Sequence, residues 1–446
     1  MAEEHADPPE LTGAPAASRV DSTLRGYGRP VVHLLRWVVL GSVVGVLAGL
    51  SSGAFLWTLD VATVAFDEHP ALLYGLPIAG LCIGLVYHYG GGRAVEGNNL
   101  IIDEIHEPTA WVPRRMAPMV FVGTVVTHLF GGSAGREGTA IQMSGSLTDG
   151  ASRLLRLGPA DRRTMLVAAM AGGFGAVFGV PLAGAVFGLE VQAVGRLRYE
   201  ALVPSLVASV VGDLVVRGLG IEHLLTPDLG RIDLEWLLLG KVAVAGIAFG
   251  LTAMAFTVVV HWIKRGFAAA IPWAPGRPLV GGVLVVLMTL AVGNRLYNGL
   301  SLGLIERGLF GGPVPTWAFV AKLVFTAVTL GSGFVGGEVT PLFVIGTTLG
   351  ATLAGLLDVP VPMLAALGFV AVFAGAANTP LACTIMGVEL FGGGAVGYFA
   401  VACVLAYVFS SHRGVYGAQR RGGSKLPGVW LGRPPPPGTA PPAPLR

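Results

Sequence analysis

Residues 131–145, GGSAGREGTAIQMSG, place the pair Arg136 and Glu137 inside sequence that otherwise suits the interior of a lipid bilayer. Between Met116 and Leu147 these two carry the only formal charges. A carboxylate at that depth is costly and by default marks a pathway. Gly131, Gly132, Gly135 and Gly138 allow tight turns on both sides of the pair, and a helical run from Thr139 to Leu154 is expected to follow. The expectation is a helix that starts within the membrane, its free N–H groups and positive dipole end beside Glu137. Such a terminus attracts anions, and a neighbouring carboxylate can compete with a diffusible anion for the same place.

The rest of the composition agrees with a membrane setting. Of 446 residues, 53% are hydrophobic and only 12% charged, against about 25% charged in an ordinary soluble domain. Mean hydropathy is +0.71. The net charge of +3 is small, and no basic tract is interleaved with aromatic residues, so no nucleic-acid partner is expected. Cys82, Cys383 and Cys403 lie in apolar segments without metal-ligand spacing. They read as small core residues, and neither a disulfide frame, a metal nor a cofactor is expected.

Residues 1–30 read as a disordered cytoplasmic tail, since their scattered charges, prolines and alanines enclose no apolar signal core. Residues 418–446 read as a basic, proline-rich cytoplasmic tail ending in PPPPGTAPPAPLR. Between them, apolar segments are drawn at 33–59, 71–89, 116–130, 139–155, 165–191, 200–218, 236–262, 278–297, 315–335, 339–357, 361–375 and 379–409. Several are too short or too rich in Gly and Pro for a clean span of about 20 residues. Broken and re-entrant helices are therefore expected, shielded from lipid by protein or by a water-filled cavity.

A repeat divides this region into halves at 31–220 and 221–417. PIAG at 77–80 recurs as PLVG at 278–281, Gly45 and Gly49 recur as Gly246 and Gly250, GREGT at 135–139 recurs loosely as GGEVT at 336–340, and PLAGAVFGLEV at 181–191 recurs as PLACTIMGVEL at 380–390. All fall in the same order at offsets of 199 to 201. Corresponding loops carry opposite basic bias. The chain after the first segment holds Asp60, Asp67 and Glu68, whereas its counterpart holds Lys264, Arg265 and Arg277; the loop with Arg153, Arg156, Arg162 and Arg163 matches one near 350–362 without a base. Cytoplasmic loops collect Lys and Arg, so the two halves are expected to be inverted, with both termini in the cytoplasm. Inverted repeats whose interrupted helices meet at mid-membrane are transporter architecture.

These residues resemble a known family. GREGT resembles the GREGP motif of the CLC anion channels and transporters, GNNL at 97–100 sits where that family has GSGIP, and GGEVTP at 336–341 sits where it has GxFxP. The paired PLAxxxxGxE motifs and RGVYGAQ at 413–419 complete the series over residues 33–419. Asn98 in place of the usual serine, Thr139 in place of proline, and GGEVTPLF make the chain similar to the CLC-F clade of fluoride/proton antiporters. The clade lacks the separate internal glutamate of chloride/proton exchangers, and Val191 here follows Glu190.

The resemblance implies an all-α, CLC-type fold of two inverted-topology repeats, and a homodimer with one pathway per subunit. It implies Glu137 as gating and proton-carrying carboxylate, with an ion pair to Arg136 as the plain structural alternative. It implies anion contacts from Asn98, Asn99, Val339, Thr340 and Tyr416, on backbone shaped by Gly97, Gly135, Arg136, Gly138, Gly336 and Gly337. Asn98 and Asn99 also suit helix caps, Thr340 an N-cap, and Tyr416 a membrane-interface position. Glu338 reads as a partner for Lys322 or as part of the pathway. Glu190 and Glu389 read as scaffold at helix ends, and His128 as a core histidine or a proton shuttle. Gly175 with Gly179, and Gly393 with Gly397, permit close helix contact within the bundle or between subunits. The implied function is fluoride export driven by proton entry across a bacterial plasma membrane, with chloride/proton exchange or passive anion conduction as the alternative. An intramembrane enzyme using Glu137 and His128 lacks a nucleophile paired with a base.

Overall fold

Glycine and proline cut the apolar chain into sixteen helices in the computed structural model, which describes residues 16–421 and Lys425, with side chains described from Pro30 onward. The first eight are α1 (Ala16–Glu68), α2 (Leu76–Gly90), α3 (Asn98–His106), α4 (Met116–Leu129), α5 (Glu137–Leu154), α6 (Pro159–Phe178), α7 (Pro181–Glu190) and α8 (Leu202–Gly218). The second eight are α9 (Trp236–Ala270), α10 (Gly276–Val292), α11 (Leu302–Leu309), α12 (Ala318–Ser332), α13 (Val339–Leu357), α14 (Val361–Ala377), α15 (Pro380–Phe391) and α16 (Val396–Phe409). Two short strands, β1 (Ala193–Val194) and β2 (Arg420–Arg421), pair in parallel. Taken in order from α2 and α10 onward, the helices of the two sets have similar lengths, and the short helices α7 and α15 pack on each other.

Several expected segments change at their breaks. The run 165–191 is two helices, because Gly179 takes φ +70° and Pro181 restarts the chain. The run 379–409 is likewise divided at Gly392, φ +85°. α1 already begins at Ala16, inside the stretch expected to be disordered, because each residue added to a helix already nucleated gains a hydrogen bond. At the other end, Arg420 and Arg421 are tied into β2, and Lys425 Nζ donates to the carbonyl oxygens of Tyr407, Ser410 and Ser411 at the end of α16. The first residues of the 418–446 tail are therefore docked; residues 1–15, 422–424 and 426–446 lie outside the described residues.

Among the described residues, five stretches are long and apolar enough to cross a membrane: Pro30–Glu68, Pro70–Gly90, Tyr199–Gly218, Trp236–Ala270 and Val339–Leu357. Most of the other helices are too short to span about 30 Å of hydrocarbon alone and survive by packing inside the bundle. Small residues make that packing close. A Cβ on Gly346 of α13 would stand 2.0 Å from the carbonyl oxygen of Gly368 on α14, so these backbones touch directly. Gly175 meets Ser209 of α8, and Gly397 meets Leu234, which places both small-residue pairs in contacts within the chain.

The two halves cap one another. Glu389 accepts the N–H groups of Leu182 and Ala183 at 2.8 and 2.7 Å, and Glu190 accepts those of Leu381 and Ala382 at 3.1 and 2.9 Å. Each carboxylate thus satisfies the free amides at the start of the other half's helix, the scaffold role that their equivalent positions suggested.

Candidate anion site between two helix N-termini

Gly135 and Gly337 exchange backbone hydrogen bonds, N to O at 2.7 Å in both directions, as one isolated antiparallel bridge. This bridge brings the start of α5 against the start of α13. Only glycine fits there. A Cβ on Gly135 would lie 2.8 Å from a Glu137 oxygen and 3.0 Å from the Thr340 amide nitrogen, and one on Gly337 would lie 3.0 Å from the Gly138 amide nitrogen. Gly336 packs as tightly on Ala134, whose Cβ would be 2.5 Å away.

Glu137 is itself the first residue of α5, two positions earlier than expected, and its side chain is wholly buried. Its carboxylate turns back across the bridge. Oε2 accepts the N–H of Thr340 at 3.0 Å and the N–H of Arg136 at 3.1 Å, while Thr340 Oγ1 donates to Oε1. Thr340 therefore serves Glu137 instead of capping its own helix, whose N-cap position is Glu338. The ion-pair alternative is weak in this geometry. Arg136 Nε is 3.8 Å from Oε1 and has no hydrogen-bond partner among the described residues. The carboxylate occupies the donors of a helix N-terminus, the place an anion would take. Val339, buried beside it, opens α13 with an amide that has no partner inside the helix.

Asn98 starts α3 and lies against the start of α5, its Nδ2 3.0 Å from where a Cβ on Gly138 would stand. Its Oδ1 is buried without a partner among the described residues, as is the hydroxyl of Tyr416. Gly97 takes φ +60° and lies beside the amide of Gln142, a polar group of α5 to which the motif comparison gave no place. Asn99 does something else: its Oδ1 accepts the N–H of Ala418 at 2.9 Å and fastens the segment that carries Tyr416. Further ties hold that segment, from Val415 N–H to Ala376 O at 2.9 Å and from Gln419 Nε2 to Val191 O and Ala377 O at 2.9 and 3.0 Å. Tyr416 is thus a buried residue, not an interfacial one, with its ring 6.3 Å from that of Phe187.

The remaining candidates separate cleanly. His128 faces two carbonyl oxygens, of Thr124 at 2.8 Å and Ala134 at 3.1 Å, a buried core position that packs beneath the turn before Glu137. Lys322 does not pair with Glu338; its Nζ donates to Tyr297 O, Gly299 O and Ser301 Oγ. A cavity lined by Arg136, Thr340, Phe178, Phe343, Phe369 and Leu302 opens beside the Glu137–Thr340 contact. Below α3 and α5, a buried cluster escaped the sequence reading. Arg162 holds Asp149 at 2.6 Å and Glu104 at 3.1 Å, Arg93 holds Glu104 at 2.6 Å, and Arg162 lies over the Trp111 ring. Burial alone would raise the pKa of Glu104, but bonds from Arg93, Thr109, Ala110 and Arg162 together hold its carboxyl below the ordinary value. Its signal in the sequence was only a basic loop and two acids far apart.

Interrupted helices from both halves of an apolar chain, α5 and α13, that start against one buried carboxylate define a polytopic membrane transport protein. Residues 78–411 match the family described as voltage gated chloride channel. The chain is 48% identical over 401 residues to the "Chloride/fluoride channel protein" of Pseudomonas syringae pv. tomato, covering 88% of each. It is 26% identical over 338 residues to the H(+)/Cl(-) exchange transporter ClcA of Yersinia pestis, covering 70% of each. Among solved structures, a CLC-type fluoride/proton antiporter superposes with a TM-score of 0.85 at 34% identity, over 87% of this chain and 98% of that one. A slow cyanobacterial Cl-/H+ antiporter shares the fold, with a TM-score of 0.70 at 20% identity over 84% and 93%. The chain belongs to the voltage gated chloride channel, or CLC, family. This is a family of transporters and channels, not of enzymes.

Proposed function

We propose that the protein is a fluoride/proton antiporter that exports fluoride from the cytoplasm, driven by proton entry, with Glu137 as the shared element. The observation that carries this reading is the Glu137 carboxylate seated on the Thr340 amide and hydroxyl. Ionised, the carboxylate holds the donors that an anion needs. Protonated, it loses its charge-assisted hydrogen bonds and leaves the helix terminus to the anion. Anion arrival and proton uptake are then coupled by competition for one place. Fluoride is small and strongly hydrated, and replacing its water takes several donors in close array. Val339 and Thr340 supply amides, Thr340 a hydroxyl, Asn98 the N–H groups of its side-chain amide and Tyr416 a phenol; the buried, unpartnered hydroxyl of Tyr416, a donor without an acceptor, supports this assignment. The solved structure of a fluoride/proton antiporter at 34% identity supports fluoride over chloride.

The setting is a bacterial plasma membrane with both termini cytoplasmic, and each subunit of a homodimer carries its own pathway. With Val191 at the position after Glu190, the proton travels on Glu137 itself. Purified protein in liposomes, read together with fluoride, chloride and pH electrodes, tests this. Wild type is expected to release fluoride with opposite proton movement, and Glu137→Gln to lose the proton coupling. Chloride efflux at a comparable rate, or fluoride flux without protons in the wild type, would move the protein to the chloride-exchanger or channel alternative.

A further inference from the structure

Lys322 is buried in α12 with no exposed surface, and its Nζ donates to Tyr297 O at 3.2 Å, Gly299 O at 2.7 Å and Ser301 Oγ at 2.8 Å. Ser301 Oγ in turn donates to Asn298 O at 3.1 Å, so its lone pairs face the lysine. Three donors meet three neutral acceptors. Among the described residues no carboxylate lies within ion-pair distance of this nitrogen. A cation so placed is expensive, and such groups inside a membrane protein are retained for a use. Its acceptors all belong to one strap, residues 294–301, between α10 and α11. The strap is forced: Gly299 takes φ +55° and Ser301 φ +58°, and a serine stays in the left-handed region only where its surroundings impose it.

The strap reaches the candidate site twice. Asn298 Nδ2 donates to Gly131 O at 2.8 Å, and Gly131, φ +79°, opens the turn that ends at Glu137. Ser301 is the N-cap residue of α11, whose Leu302 and Ile305 line the cavity shared with Arg136 and Thr340. We propose that Lys322 is a positioning residue of the ion pathway: its ammonium clamps the 294–301 strap, and the strap, through Asn298 and Gly131, fixes the turn that presents Glu137. This rests on the reading of Glu137 as the coupling carboxylate. A loosened turn lets anions pass while Glu137 is out of register, so the clamp protects the coupling ratio.

The test uses full-length protein and the variants Lys322→Met and Asn298→Ala, the second cutting the strap from Gly131 while leaving the lysine's acceptors in place. Two quantities are measured: amide exchange of residues 131–137 in detergent, and protons moved per fluoride in liposomes. Both variants are expected to speed exchange at 131–137 by about tenfold or more, without change in α14, and to lower the proton count per fluoride. The double variant is expected to go no further than Lys322→Met alone, because both changes act through one chain of contacts. A turn that exchanges at the wild-type rate in either variant, or additive effects in the double variant, would overturn the clamp. If Lys322→Met does not fold, Asn298→Ala alone decides. A wild type without proton coupling would defeat the reading of Glu137, while the exchange measurement still decides whether the clamp exists.

Discussion

The backbone N–H and the side-chain hydroxyl of Thr340 both donate to the carboxylate of Glu137, across 203 residues of sequence. One residue from the second half therefore supplies two of the three hydrogen bonds that seat the buried acid of the first. The hydroxyl bond is the one a side-chain change can remove.

Thr340→Val keeps the shape and deletes that donor. A hydrogen bond to a charged group contributes about 1.5–3 kcal/mol, so fluoride turnover should fall by about tenfold to hundredfold. Thr340→Ser should stay close to wild type, since it keeps the hydroxyl. Initial efflux rates from liposomes, read with a fluoride electrode, distinguish the two. Equal rates in Thr340→Val and wild type would mean that the hydroxyl does not serve the pathway.

Gly135→Ala tests the bridge between the halves. The added methyl would stand 2.8 Å from both the Glu137 carboxylate and Pro341 Cδ, and 3.0 Å from the Thr340 amide nitrogen. Two of these neighbours belong to the backbone or to a ring fixed on it, so the contact is relieved only by parting the two helix starts. Proton-coupled transport should be lost while the protein remains folded and helical by circular dichroism.

Much of this arrangement was legible in the sequence because the motifs are local. The glycines around Glu137 announced a helix start, the 199–201 offset paired it with GGEVT, and scattered prolines announced broken helices. What was not legible lies in contacts between distant segments. Asn99 matches a motif position as well as Asn98 does, yet it spends its carbonyl on Ala418, 319 residues away. Lys322 and Glu338 looked like partners from charge alone, but the strap at 294–301 offers the lysine three closer oxygens. Thr340 had the composition of an N-cap, and only the crossing of the two halves puts a carboxylate above it.

Arg162 is the next place where a single change should have a large effect. It is the shared partner of Asp149 and Glu104, both buried, which end the helices started by Glu137 and Asn98. Arg162→Met leaves those carboxylates short of a cation, at a cost of about 3–5 kcal/mol. The pH dependence follows from Glu104, whose carboxyl is held below its ordinary value in the folded protein. The unfolded chain binds that proton more readily, so the stabilisation is full above the ordinary carboxylate value of about 4.3 and is lost as pH falls through the lower folded value. Without Arg162 one of the bonds holding the value down disappears, and acid unfolding should begin at higher pH. Thermal unfolding of wild type and Arg162→Met, followed in detergent from pH 7 down to about pH 2, below both carboxyl values, checks both the size and the direction.

Tyr416→Phe separates a structural tyrosine from a working one. The hydroxyl of Tyr416 is buried and has no hydrogen-bond partner among the described residues, although Asn99, Asn378 and Gln419 all help to hold the segment that carries it. A buried hydroxyl left unpaired costs about 1–3 kcal/mol, so deleting it should leave thermal stability equal or raise it. If the phenol donates to the anion, the same deletion should raise the fluoride concentration needed for half-maximal transport by about tenfold or more, one hydrogen bond to a charged partner having gone. Stability and apparent affinity are expected to move in opposite directions, which packing alone does not produce: a tyrosine that merely fills space beside Phe187 would leave the affinity where it was.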